Sequence, residues 1–199
     1  NKVMSCIGIN MSRLKEGRSI LITEIPPVVD SVYSSIEEHY RSCRFILTFF
    51  QHQLRNTPAG KEALDYLHKR KLTDETINEF ALGYAPDSWD ALTNYMASRE
   101  VTEQEILEAG LASERDSGGI YDKFRHRLVI PIRDARGQMA GFGGRVLRAE
   151  DVPKYLNSPK TALFDKGRLL YGLDMAKREI RSRDQVVIVE GYLDVIGPY

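Results

Sequence analysis

Three things are scarce in this sequence, namely cysteine, long apolar runs and net charge, and each shortage narrows what the chain can be. Cys6 and Cys43 are the only thiols among 199 residues. Neither sits in a C-x-x-C pair or near the histidines that a zinc ribbon or finger requires. Two free thiols in a reducing, intracellular compartment are therefore expected. The longest apolar candidates, SILITEIPPVV and CRFILTFF, fall short of the roughly 18 residues that a membrane span needs. The first is also broken by Glu24 and by Pro26-Pro27. No membrane span is expected. No basic segment, apolar stretch and cleavage site can be recognised before Arg13, and residue 1 is Asn, so the expectation is a chain whose start is missing or a fragment. Internal repeats and low-complexity tracts are absent too.

The net charge is zero, with 28 Lys and Arg against 28 Asp and Glu, but the charge is unevenly placed. From Lys123 to Arg183 there are 15 Lys and Arg against 6 Asp and Glu, and the rest of the chain holds 13 against 22. Clustered cations attract phosphates whatever the overall balance, so this sector fits a polyanion-binding face as well as it fits a solvated surface. The apolar content of 42% with 28% charged residues is that of an ordinary globular protein.

Three zones follow one another. Residues 1 to about 30 match neither the helical nor the strand period and remain unassigned. From Val32 to about Gly110 the signals are helical. IEEHYRSCRFILTFFQHQL supports a long amphipathic helix, Thr57-Pro58 is a cap and first-turn pair, Thr73 opens DETINEF, and Thr102 with Glu105 has capping-box spacing. The apolar residues here read as core and the zone as scaffold. After Leu111 strands and turns take over. RLVIPIRD and GQMAGFGGRVL flank Ala135-Arg136-Gly137 and predict a hairpin, KYLNSP reads as irregular, and YGLDMAKREIR is helical again. The chain then closes on VVIVEGYLDV and four more residues.

Several residues in this last zone carry potential chemistry. An apolar strand ending in Glu190 and Gly191 resembles the carboxyl end of a buried parallel strand, where ligands gather. With Asp194 on the same side of a helical turn, Glu190 would suit a hard divalent cation such as magnesium, and the alternative is that Glu190 caps the next helix. Gly141, Gly143 and Gly144 around Phe142, followed by Arg145, fit either a phosphate contact through exposed backbone N–H groups or a tight bend. Lys123, Arg125 and Arg127 alternate and would share one face of an extended segment. Lys154, Lys160, Lys166 and Arg168 continue the positive charge, and His126 reads as a surface or structural histidine.

Taken together, KFRHRLVIPIRDARGQMAGFGGRVL, PKYLNSPKTALFDKGRLLYGLDMAK and VVIVEGYLDVI resemble the successive signatures of the catalytic core of bacterial-type replicative DNA primases. The last is similar to the opening motif of the Toprim domain shared with topoisomerases. With ALDYLHKRKLTDETINEFALGYAPDSWDAL the resemblance extends over about Phe45 to Ile196.

The resemblance implies a mixed α/β, α+β architecture in three parts. Residues 1–40 are unassigned, 41–183 correspond to the N-terminal subdomain of the catalytic core, and 184–199 to the start of a truncated Toprim domain. It implies a nucleotidyltransferase that makes short RNA primers on single-stranded DNA from ribonucleoside triphosphates, with magnesium or manganese, beside a replicative helicase in the cytoplasmic replisome. Glu190 resembles the Toprim glutamate and metal ligand, and Asp194 the acid that follows it. Lys123, Arg125, Arg127, Arg145, Lys154, Asn157, Lys166 and Arg168 fall on basic and polar positions that would contact nucleic acid or nucleotide. The departures are the missing zinc-binding module, an Asp-x-Asp pair expected beyond Tyr199, and a closing Gly-Pro-Tyr that suggests a truncated or altered end. Two other readings stand beside this one: a Toprim nuclease or topoisomerase, and a non-catalytic nucleic-acid-binding remnant. The expected metal site is incomplete in this chain, which alone is expected to make no primer.

Overall fold

The computed structural model describes residues 6–8, 30–148, 152–161 and 163–199, with side chains from Ser42 onward. The scaffold begins with a long helix, α1 (Asp30–Asn56). Cys43, Ile46, Phe50 and Leu54 repeat at helical spacing and are all essentially buried. Burial pushes the Cys43 thiol up to about 12, so it stays protonated and acts as a small apolar side chain. The side chain of Cys6 lies outside the described residues.

α2 (Pro58–Lys69) starts where predicted. The Thr57 hydroxyl accepts from Gly60 N–H at 3.0 Å and donates to the Gln53 carbonyl at 2.7 Å, which ties the new helix to the end of α1. Thr73 caps α3 (Asp74–Glu79) in the same way. Further on come α4 (Ala91–Ala97) and α5 (Glu103–Glu108), and the latter opens with the predicted Thr102/Glu105 capping box.

Among the described residues eight strands lie with these helices: β1 (Cys6–Gly8), β2 (Gly83–Ala85), β3 (Ala112–Glu114), β4 (Ile120–Asp122), β5 (Arg127–Arg133), β6 (Met139–Val146), β7 (Tyr155–Asn157) and β8 (Val187–Val189). The central sheet is antiparallel with order β2-β5-β6-β7. The β5–β6 hairpin turns at Gly137 (φ 87°), and the Asp134 carboxylate accepts from the N–H groups of Arg136 and Gln138. Opposite Ile132 and Arg133, Ala140 is the extra residue of a bulge, since Gly141 pairs with Ile132 and Met139 with Arg133.

Both faces of this sheet are covered, which explains the unbroken apolar run of β5. Leu128, Ile130 and Ile132 pack with Leu67, Phe164 and Leu193, while Val129 faces Ile46, Phe50 and Phe142. The chain ends with α6 (Leu173–Arg183), β8 and α7 (Tyr192–Ile196). Among the described residues no helix is long and apolar enough to cross a membrane.

The structure corrects three expectations. β2 lies inside the zone read as wholly helical, because three residues are too few to show a period, and Gly83 sits against the Phe50 backbone of α1. KYLNSP contains β7, a short edge strand that β6 holds in place. Val186 to Val189, read as a buried parallel strand, does pair in parallel, β8 with β1 and Cys6 opposite Val187. Its faces are not buried, however, with Val187 40% and Ile188 49% exposed.

One tie is invisible in the sequence. The buried Asp122 carboxylate accepts from Leu92 N–H at 2.7 Å and Thr93 N–H at 2.9 Å, capping α4 from thirty residues away, while the residue at the cap position, Asp90, makes no capping bond. Burial raises the Asp122 pKa above the usual carboxylate range, against the lowering effect of those two N–H groups. Asp122→Ala is expected to cost about 2 kcal/mol in urea denaturation, since it strands two buried donors. A carboxyl with a raised folded pKa favours the fold fully below its unfolded pKa and loses that preference as pH rises through the folded value. The stability gap between wild type and Asp122→Asn should therefore move in favour of wild type on acidification from about pH 7 to about pH 3.

Candidate nucleic-acid interface

The Glu190–Gly191 turn between β8 and α7 faces β7 across a cleft of about 180 Å³. Tyr155, Asn157, Lys166, Tyr171, Glu190 and Tyr192 line it. Tyr192 anchors the turn. Its hydroxyl donates to the Asn157 Oδ1 at 2.7 Å and its ring packs edge-on against Tyr171 with centroids 4.9 Å apart. Burial pushes both phenols well above their ordinary pKa, so Tyr192 remains a donor to the Asn157 Oδ1. The Tyr192 ring also lies against the sheet at Gly143, where an added Cβ would stand 2.8 Å from its Cε2 atom.

The predicted pairing of Glu190 with Asp194 is only half present. Asp194 is at the third position of α7, and its carboxylate accepts from Gly191 N–H at 3.1 Å. Asp194 is thus the helix cap, and Glu190 is the one carboxylate among the cleft-lining residues. No three His, Cys, Asp or Glu side chains converge among the described residues. A magnesium ion asks for near-octahedral oxygen ligands, and this donor set alone does not provide them.

The basic residues fall into three settings. Lys166 belongs to the cleft, on a loop ordered by Asp165, whose carboxylate accepts from Gly167 N–H at 2.9 Å and pairs with Lys160 at 3.0 Å. Arg168 follows on the same loop and is exposed, as is Lys154 at the start of β7. Arg145 backs the cleft wall: its Nε donates to the Tyr155 hydroxyl at 3.3 Å. Its guanidinium also lies 4.9 Å from the centre of the Tyr66 ring, which carries Arg70 at 5.2 Å as well.

The expectation that Lys123, Arg125 and Arg127 share one face does not hold. His126 between them is in the left-handed region (φ 47°) and breaks the alternation, with its Nδ1 bonded to the Tyr84 hydroxyl at 2.9 Å. Arg127 turns inward, 7% exposed, and donates to the Pro153 carbonyl at 2.8 Å. Arg125 turns outward onto Trp89, 3.9 Å from its ring centre and 5.4 Å from that of Tyr121, and is held from behind by the Asp122 carbonyl. Trp89 is 57% exposed. Lys123 is half-buried and donates through its backbone to Leu111 at 2.7 Å.

The β6 glycines likewise serve packing. β6 has a neighbour on each side at Gly143 and Gly144, so their backbones belong to the ladders, and aromatic rings fill the space that side chains would take. Sequence reasoning missed Tyr66, Trp89, Tyr155 and Tyr192. For Trp89 a signal existed: a large aromatic in the turn-rich stretch Pro86-Asp87-Ser88, outside any apolar period, reads as exposed.

Comparison with known proteins places this geometry. Residues 49–177 match the sequence model of the DNA primase catalytic core, N-terminal domain. The DNA primase of Deinococcus radiodurans is 49% identical over 159 residues, which cover 79% of this chain and 27% of that protein. For the DNA primase of Escherichia coli K12 the identity is 43% over 179 residues, with 87% and 30% covered. Among solved structures, a DnaG primase catalytic domain bound to ssDNA superposes with a TM-score of 0.74 at 41% identity, covering 82% of this chain and 50% of that one. The zinc-binding and RNA polymerase domains of Aquifex aeolicus primase give 0.73 at 30% identity, covering 94% and 43%. The chain thus spans under a third of the length of these two curated relatives, and it belongs to the DNA primase catalytic-core family.

Proposed function

We propose that this chain forms the template-gripping part of a primer-synthesising polymerase and supplies one carboxylate to its reaction centre. The observation that carries the reading is the cleft, which brings Lys166 and Asn157 from the basic sector to within one small volume of Glu190. A cation, an amide and an acid on an aromatic wall suit a nucleotide: the lysine for phosphate, the amide for a sugar or base edge, the ring faces for stacking. Residues 184–199 are then the opening of a Toprim domain. Bound magnesium or manganese would stabilise charge on the reacting phosphate. Glu190 would contribute one ligand to it, and further oxygen donors would have to complete the coordination.

Single-stranded DNA is the template in this reading. The ssDNA complex of a relative at 41% identity supports it, as does exposed Trp89 with half-buried Arg125 against it, which offers a stacking surface beside a cation. Phosphate contacts position a strand without reading its sequence, so the grip is sequence-tolerant. Ribonucleoside triphosphates are the substrates and a replicative helicase the partner. The nuclease and topoisomerase readings give no role to the Arg145–Tyr155 wall.

Binding of a labelled oligonucleotide, followed by fluorescence anisotropy, should fall steeply with salt. Arg145→Ala and Lys154→Ala should each weaken it by a similar factor on every sequence; binding indifferent to both, or to salt, overturns the polyanion face. Trp89 is the single tryptophan of the chain, so its emission should be quenched as the oligonucleotide binds, and Arg125→Ala should reduce both signals together.

Catalysis has its own test. The 199 residues alone are expected to bind template and to make no primer, and primer synthesis by them with ribonucleotides and magnesium would refute this. In a chain extended through a complete Toprim domain, Glu190→Gln removes one ligand charge at nearly constant volume and should abolish primer synthesis. Synthesis at the wild-type rate would remove Glu190 from the centre.

A further inference from the structure

Three tyrosines line the cleft, and their hydroxyl groups differ in what they bind. That of Tyr155 accepts from the Arg145 Nε at 3.3 Å, and that of Tyr192 donates to the Asn157 Oδ1 at 2.7 Å. The Tyr171 hydroxyl is buried and has no hydrogen-bond partner among the described residues. A buried polar group left unpaired is costly, and native interiors keep few of them. The ring that carries this one is held in place, edge-on to Tyr192 at 4.9 Å and tilted against Phe80 at 6.3 Å between centroids. Its surroundings show what kind of partner fits. Lys166 and Glu190 are exposed at the rim of the cleft, whereas Ile132, Phe164 and Tyr171 are buried at its floor. The cleft encloses about 180 Å³, more than the roughly 150 Å³ in which an apolar cavity takes up benzene. One flat ring system therefore fits. A sugar placed on this floor would give up the hydration of several hydroxyls to Ile132 and Phe164, with a single phenol to replace it. An uncharged aromatic ring with a lone pair on its edge loses far less.

We propose that the floor of the cleft is a base pocket, in which the Tyr171 hydroxyl donates to a ring nitrogen or carbonyl oxygen on the edge of a bound nucleobase. The inference rests on the nucleotide-binding reading above. The phosphates of the same nucleotide stay at the rim, where Lys166 is exposed. Every base carries an acceptor on its edge, so one donor senses that a base is present and discriminates little among the four. Two sources supply such a base, a free ribonucleoside triphosphate and a nucleotide of a single DNA strand. The competing partner for the hydroxyl is a water molecule. A hollow of about 10 Å³ beside Tyr171, bordered by Phe80, Arg133 and Asp174, stands at the lower limit for holding one. A water there would make the hydroxyl part of the folded framework, and its removal would then destabilise the chain.

The test compares the full 199-residue chain with its Tyr171→Phe variant, which keeps the ring and loses only the hydroxyl. Three probes are titrated: ATP and inorganic tripolyphosphate by calorimetry, and a fluorescein-labelled oligothymidylate by anisotropy. Tyr171→Phe should weaken the binding of a base-bearing probe about fivefold, the size of one neutral hydrogen bond. Tripolyphosphate, which has the charge without the base, should bind both proteins alike. With no probe present the variant should melt at the wild-type temperature or above it, because it no longer buries an unpaired hydroxyl. A loss confined to ATP assigns the pocket to the incoming nucleotide, a loss confined to the oligonucleotide assigns it to a template base, and either supports the proposal. Undiminished binding of both overturns it, and so does an equal loss for tripolyphosphate, which would place the effect on phosphate. A variant that melts below wild type, or fails to fold, assigns the hydroxyl to a structural water and overturns the pocket as well. Wild-type chain that binds none of the three probes overturns the nucleotide-binding reading and the pocket with it, whereas unchanged binding by Tyr171→Phe overturns the pocket alone.

Discussion

At Gly143 the sheet has no side chain, and the ring of Tyr192 occupies the space where one would stand. The geometry of the cleft depends on that contact. Any Cβ at this point would meet the ring at 2.8 Å, closer than packed carbons tolerate, so the ring and the turn behind it would have to shift. Because Tyr192 follows Glu190 by two residues and also donates to Asn157, such a shift would carry the carboxylate away from the amide and from Lys166. Gly141 meets Phe164 in the same manner at 2.8 Å, which brings the loop bearing Lys166 down onto the sheet. Two absent side chains thus set the distance between two groups of opposite charge.

Much of the fold was legible because local chemistry and tertiary structure agree over most of its length. The caps at Thr57, Thr73 and Thr102 and the turn at Gly137 follow from side-chain hydrogen bonding and backbone freedom within a few residues, and all four occur as read. The short strands β2 and β7 were not legible, since their conformation comes from a neighbour in the sheet. Asp122 illustrates the same limit at a helix end: the cap of α4 is supplied across thirty residues, and nothing near Asp90 announces it.

The candidate site was legible as a list of residues and much less so as an arrangement. Charge density located the basic sector, but the direction of each side chain depends on backbone angles that alternation cannot predict. One left-handed residue, His126, separates Arg125, laid half-buried on Trp89, from Arg127 in the interior. Asp194 was read as a second acid for a metal, whereas a free N–H at Gly191 claims it first. The aromatic residues were overlooked because burial and ligand stacking ask for the same side chains, and only the open face of Trp89 and the cleft positions of Tyr155 and Tyr192 separate the two uses.

The buried Arg127 has a wider meaning for how this region tolerates change. Its guanidinium holds the Pro153 carbonyl at 2.8 Å, and the Val146 N–H donates to the Lys154 carbonyl at 3.2 Å, so the chain between β6 and β7 is fastened at both ends. Lengthening a loop whose ends are already fixed costs little, because closure entropy grows only with the logarithm of its length. Residues between Val146 and Pro153 can therefore be inserted or deleted over generations without moving Tyr155 or Asn157, and related sequences should differ in length there before they differ in the strands on either side.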